Sequence, residues 1–156
     1  MRPQEPRAYD SLWPPPSRQE TEPPSSFTLP NGSTISLQEL DERVTVVEPG
    51  IVLLNELEQG THATLHQFGE IMREKASGFE RYVHLVDLSN VAIPSAEYRE
   101  TIVEWMKLQP CVHTCFVQPG FIVVRVALRF MIGRAGTSMS IHQSLDEAVA
   151  AARTYL

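Results

Sequence analysis

Tyr82-Val-His-Leu-Val-Asp-Leu-Ser-Asn-Val-Ala-Ile-Pro-Ser95 is the stretch on which the fold turns. Its first part, Tyr82 to Leu88, is apolar almost without interruption and carries Asp87 near its end. Such a run, bounded by Ser-Asn, reads as a strand covered on both faces. Ser95 then offers a side-chain oxygen to the first turn of a helix. Tyr98, Ile102, Trp105 and Met106 give that helix an apolar face as far as about Leu108, and Pro110 marks its end.

The same alternation extends in both directions. Upstream, Thr61 to Ala76 is a helix with Leu65, Phe68, Ile71 and Met72 on one side. Before it, Arg43 to Glu48 and Ile51 to Leu57 are strand-like runs joined by Pro49-Gly50, a tight-turn pair. Downstream come a strand at Val112 to Val117, a nearly all-apolar helix at Phe121 to Gly133, and a short strand at Ser138 to Gln143. Ser144-Leu-Asp-Glu147 is a capping box, with Glu147 expected to reach back to the cap. The helix it starts runs on Leu145, Val149, Ala152 and Leu156. The order ββαβαβαβα predicts one α/β domain: a mixed, mostly parallel sheet of about five strands with four helices.

Composition fits a tail followed by a domain. Of 12 prolines in 156 residues, eight fall in the first 30, so residues 1–33 read as a proline-rich, disordered tail and 34–156 as the domain. Trp13-Pro14-Pro15-Pro16 favours a polyproline II segment with Trp13 as an aromatic anchor. Phe27 to Leu37 reads as a small hairpin turning at Asn31-Gly32. The net charge is −6, and from Ile35 onward 10 basic residues face 15 acidic ones, so no nucleic-acid partner is expected. Cys111 and Cys115 are too few for a secreted disulfide framework. The opening residues lack the apolar core of a secretory leader, and no run is long and uncharged enough to cross a bilayer. A cytoplasmic location without integral membrane association is the expectation.

The order of elements resembles the STAS superfamily, above all its SpoIIAA-like branch, on two stretches: Asp87-Leu88-Ser89-Asn90-Val91 leading to a helix capped at Ser95, and the terminal strand and Ala-rich helix from Ser138 to Leu156. The resemblance covers residues 43–156. It implies a non-catalytic switch that works by binding a partner, in some members through a phosphoserine at the start of the second helix. At that position this chain has Ala96, preceded by Ser95 where the motif has Asp. The branch also resembles lipid-binding CRAL-TRIO domains in arrangement.

Two sets of residues are candidates for function. Asp87, Ser89, Asn90 and Ser95 are expected on the rim at the carboxyl edge of the sheet, where α/β folds bind ligands. They form a candidate ligand or switch rim, since a phosphate on Ser95 would meet the helix N–H groups favourably. The apolar helix supplies the second set. With Phe121, Val124, Leu128 and Met131 inward, Val123, Val126 and Phe130 point out beside the basic pair Arg125 and Arg129, a candidate surface for a protein partner or a second copy. His62, His66 and Glu70 read as a solvated helix face, and Cys111, His113 and Cys115 share a strand face as packing residues. Gly133-Arg-Ala-Gly136 reads as a helix stop, and the chain has no phosphate-loop or nucleophile-elbow motif. The expected function is a non-enzymatic STAS-like regulatory or scaffold module acting by protein contact, with no cofactor. The alternative is a small-molecule or lipid-binding domain with its pocket between helices and sheet.

Overall fold

The structure is a computed structural model and describes residue 22, residues 24–120 and residues 122–156. The tail to residue 21, Trp13 included, and Phe121 lie outside the described residues. Two short strands come first, β1 (Ser26–Thr28) and β2 (Thr34–Ser36), paired antiparallel across Asn31-Gly32, where Gly32 adopts φ +83°. A one-and-a-half-turn helix, α1 (Leu37–Glu42), follows at once. The sequence pattern predicts the end of the hairpin there. Ser36 and Glu39 supply a complete capping box, enough to start a helix after only three strand residues.

The main sheet holds β3 (Val44–Glu48), β4 (Ile51–Asn55), β5 (Val83–Asp87), β6 (His113–Val117) and β7 (Met139–His142), in that spatial order. The first pair is an antiparallel hairpin through Gly50, at φ +83°, and all later pairs are parallel. Between the parallel strands run α2 (His62–Ala76), α3 (Ala96–Lys107) and α4 (Ile122–Ala135); α5 (Leu145–Arg153) ends the chain. The α/β class, the five-stranded mixed sheet and its four longer helices are as the periodicity predicts.

Each inner strand is buried on both faces. Val52, Leu54, Val86 and Phe116 join the core shared with α2, α3 and α4, while Ile51, Leu53, Val83, Leu85, Cys115 and Val117 pack with α5. α5 covers that second face with Ala148 and Ala152, both without accessible surface. Small residues at i and i+4 let a nine-residue helix lie close on the strands. Three expectations for α5 change. Leu145 and Leu156 are exposed, the helix stops at Arg153, and Glu147 accepts from the Gln143 N–H (3.1 Å), while the Ser144 hydroxyl accepts from the Glu147 N–H (3.2 Å). α1 and the start of β3 are tied to α2 by Lys75, whose Nζ donates to the carbonyls of Asp41 (2.9 Å) and Val44 (2.6 Å).

His84 stands at the centre of the helix-covered face, between Val52 and Thr114, with neither ring nitrogen hydrogen-bonded. Burial, and after it the charge of Arg73, pushes its pKa down to about 3 from 6.5. The folded chain therefore keeps His84 neutral where the unfolded chain takes up a proton. Stability is lost as pH falls below about 6.5 and continues falling toward 3. Replacing His84 by Val should flatten this loss, by about 2 kcal/mol between pH 7 and pH 5. Urea unfolding at the two pH values measures it; parallel pH dependences in both proteins would exclude His84 as the source.

Candidate functional site

The polypeptide leaves β4 at Asn55 and turns along Glu56-Leu57-Glu58-Gln59-Gly60 before entering α2. The sequence pattern predicts that this strand runs to Leu57. Instead Glu56 lines a pocket of about 420 Å³ bounded by this turn, the ends of β5 and β6, the loop 91–95, α3 and α4. Its wall is mainly hydrocarbon: Leu65, Val86, Ile102, Trp105, Phe116 and Leu128 are representative. α4 closes one side with Val124, Ala127, Leu128 and Met131.

Polar groups enter this wall at few points. Glu56 Oε1 accepts the Leu57 N–H at 2.8 Å, and the Arg43 guanidinium donates to the carbonyl oxygens of Asn55 (3.2 Å) and Glu56 (3.3 Å). Burial raises the Glu56 carboxyl to about 7; the Leu57 N–H and then the Arg43 charge oppose it and do not win. Tyr98 of α3 lines the same space. Burial first, then the nearby Glu56 charge, holds its phenol above its ordinary value and protonated. Gly60 is required beside it, because a Cβ there would come within 2.6 Å of the Tyr98 hydroxyl oxygen.

The four residues expected on the rim do not converge. Asp87 Oδ1 accepts from the Ser89 N–H (2.9 Å) and from its hydroxyl, a local turn, and Asn90 is exposed beyond it. Among the four, Ser95 alone lines the pocket, and its hydroxyl accepts the Tyr98 N–H at 3.2 Å as the helix cap. On α4, Ile122, Val123, Val126 and Phe130 are 60–77% exposed. Arg125 turns inward and donates from Nε to the Gln118 carbonyl (3.1 Å); Arg134 pairs with Glu100; Arg129 is exposed.

A second polar group, not foreseen from the sequence, lies where β6 meets the edge strand β7. His113 bonds the Ser138 hydroxyl through Nδ1 (2.6 Å) and the Ser140 hydroxyl through Nε2 (2.8 Å), and Ser140 reaches His142 Nε2 (2.7 Å). One hydroxyl has one proton, so it donates to only one of these two imidazoles and accepts from the other. Tyr155 stacks on His113 at 3.8 Å between ring centroids. Burial, then the nearby His142, lowers the His113 pKa. The alternation Ser138-Met-Ser140-Ile-His142 opposite His113 was the signal for it. Cys111 precedes β6 and contacts the Thr114 hydroxyl, so it does not belong to the strand face that holds Cys115. Among the described residues no three His, Cys, Asp or Glu side chains gather as metal ligands, and no helix is long and apolar enough to cross a membrane.

No protein-family model, curated protein or solved structure matches the chain.

Glu56 makes the pocket sensitive to pH. Its folded pKa of about 7 lies above its ordinary 4.5, so the folded chain holds a proton the unfolded chain has released. Stability falls as pH rises from about 4.5 through 7, by up to about 3 kcal/mol. Glu56→Gln should melt higher than the parent at pH 8 and close to it at pH 4. A variant equally stable to the parent at both values would show that the carboxyl is solvated.

Proposed function

We propose that the chain is a non-enzymatic, STAS-like regulatory module that takes a small, mainly apolar molecule into the pocket under α4. The size and lining of that pocket carry this reading. Ligand pockets fall in the range of about 300–1,000 Å³, apolar with a few placed polar groups, and this one has about 420 Å³ with Glu56 and Tyr98 among hydrocarbon. Water filling such a space would meet few polar partners, whereas an apolar occupant gives the hydrocarbon wall contacts along its length.

The test uses the full chain and the neutral dye Nile red. Its fluorescence should rise on binding, native mass spectrometry should find retained apolar material, and Ala127→Phe should abolish both while Phe130→Asp leaves them. Ala92→Phe, on the opposite wall, serves if the first variant does not melt cooperatively. Dye binding lost in Phe130→Asp and kept in both filled variants would place it on the outer surface and end the pocket reading.

The outer face of α4 supports a second reading, contact with another copy of the chain. Four large apolar side chains on successive turns exceed the scattered single exposures of an ordinary surface. Light scattering should show a concentration-dependent dimer that Phe130→Asp or Val126→Asp returns to monomer. A parent chain that stays monomeric at every concentration would remove this contact.

A further inference from the structure

The charges around the pocket differ in sign from what most apolar-ligand carriers of anionic molecules need. Its charged lining residues, Glu56 and Glu58, are both carboxylates, and no Lys, Arg or His lines it among the described residues. Arg43 is the cation whose charge reaches Glu56, but its guanidinium is committed to the carbonyls of Asn55 and Glu56. A carboxylate or phosphate head placed here would find no cation lining the pocket to pair with. An alcohol head could hydrogen-bond the protonated Glu56 carboxyl but would bring it no counter-ion.

We propose that the ligand is a hydrophobic primary amine, with its ammonium group on the Glu56 carboxylate and the Tyr98 hydroxyl and its apolar body along α3 and α4. This rests on the pocket reading above and names the chemistry of its head. An ammonium group has three donors and no acceptor, and the groups here match it. Glu56 has one oxygen on the Leu57 N–H and a second for the ligand, and the Tyr98 oxygen supplies a lone pair. Taken out of water together, the two opposite charges restore to Glu56 the partner it lacks in the free chain. The carboxyl's preference for its proton, from burial, then gives way on binding, so the amine displaces a proton from Glu56 at neutral pH.

Three probes with one tail decide the matter: n-decylamine, 1-decanol and decanoate, titrated calorimetrically into the full chain at neutral pH, each below its aggregation limit. Decylamine should bind roughly tenfold tighter than decanol, the margin of a charge-assisted over a neutral hydrogen bond, and decanoate weakest. In Glu56→Gln, which keeps an oxygen for the Leu57 N–H, the amine should fall to the level of the alcohol while alcohol binding stays. Repeating the amine titration in two buffers of different ionisation heat should show proton release in the parent and none in the variant. Decanoate binding as tightly as decylamine, or an amine-to-alcohol ratio unchanged in Glu56→Gln, would overturn the assignment while leaving the pocket reading in place. If decanol and Nile red both fail to bind, the pocket reading falls and this inference with it.

Discussion

Strand order is the constraint on which the rest depends. The five main strands lie in the sheet in the order the chain makes them, and three successive connections are parallel crossovers. Crossovers are right-handed. When the strand order never reverses, that rule puts every crossover helix on the same face. α2, α3 and α4 are therefore crowded on one side, and the other side, equally apolar, is covered among the described residues by the last helix. This is why the final element must be small-faced: only Ala148 and Ala152 allow nine residues to seal Ile51, Leu53, Val83, Leu85, Cys115 and Val117.

Crowding also makes the pocket. α2 packs on β3 and β4 and α3 packs on α2, while α4 packs chiefly on α3. Held by its neighbour, α4 roofs a space over the ends of β5 and β6. Its two faces then have different tasks. Val124, Leu128 and Met131 look into the covered side, and Val123, Val126 and Phe130 look out. One helix thus carries both the pocket wall and the exposed apolar face.

The sheet and its helices were legible because their signals are local. Period-2 and period-3.6 patterns, the caps at Ser95 and Ser144, and turns at Gly32 and Gly50 each act within a few residues. The pocket was not legible, because no part of it is local. Glu56 looks like the polar end of a strand, and the other walls of the pocket it lines come from α3 and α4, far along the chain. Tyr98 reads correctly as part of the apolar face of α3, but its hydroxyl gains meaning only beside Glu56 and Gly60. Of the rim residues, Ser95 lines the pocket, which opens at the carboxyl ends of β5 and β6, while Asp87 is held by its local turn on Ser89.

Two buried titratable groups remain, and they oppose each other. His84 favours the fold less as pH drops below about 6.5, and Glu56 less as pH rises above about 4.5. Between these values one unfolding-linked proton uptake offsets one release, so the pair adds no net slope there. Above about 6.5 His84 has nothing further to give, and the cost of ionising Glu56 stands alone. His84 needs no ligand to explain it, since a neutral imidazole fills the sheet as a polar aromatic ring. Glu56 differs, because its charge faces a space. Near neutral pH, ionisation of this carboxyl, which lines the pocket, is what costs the fold stability.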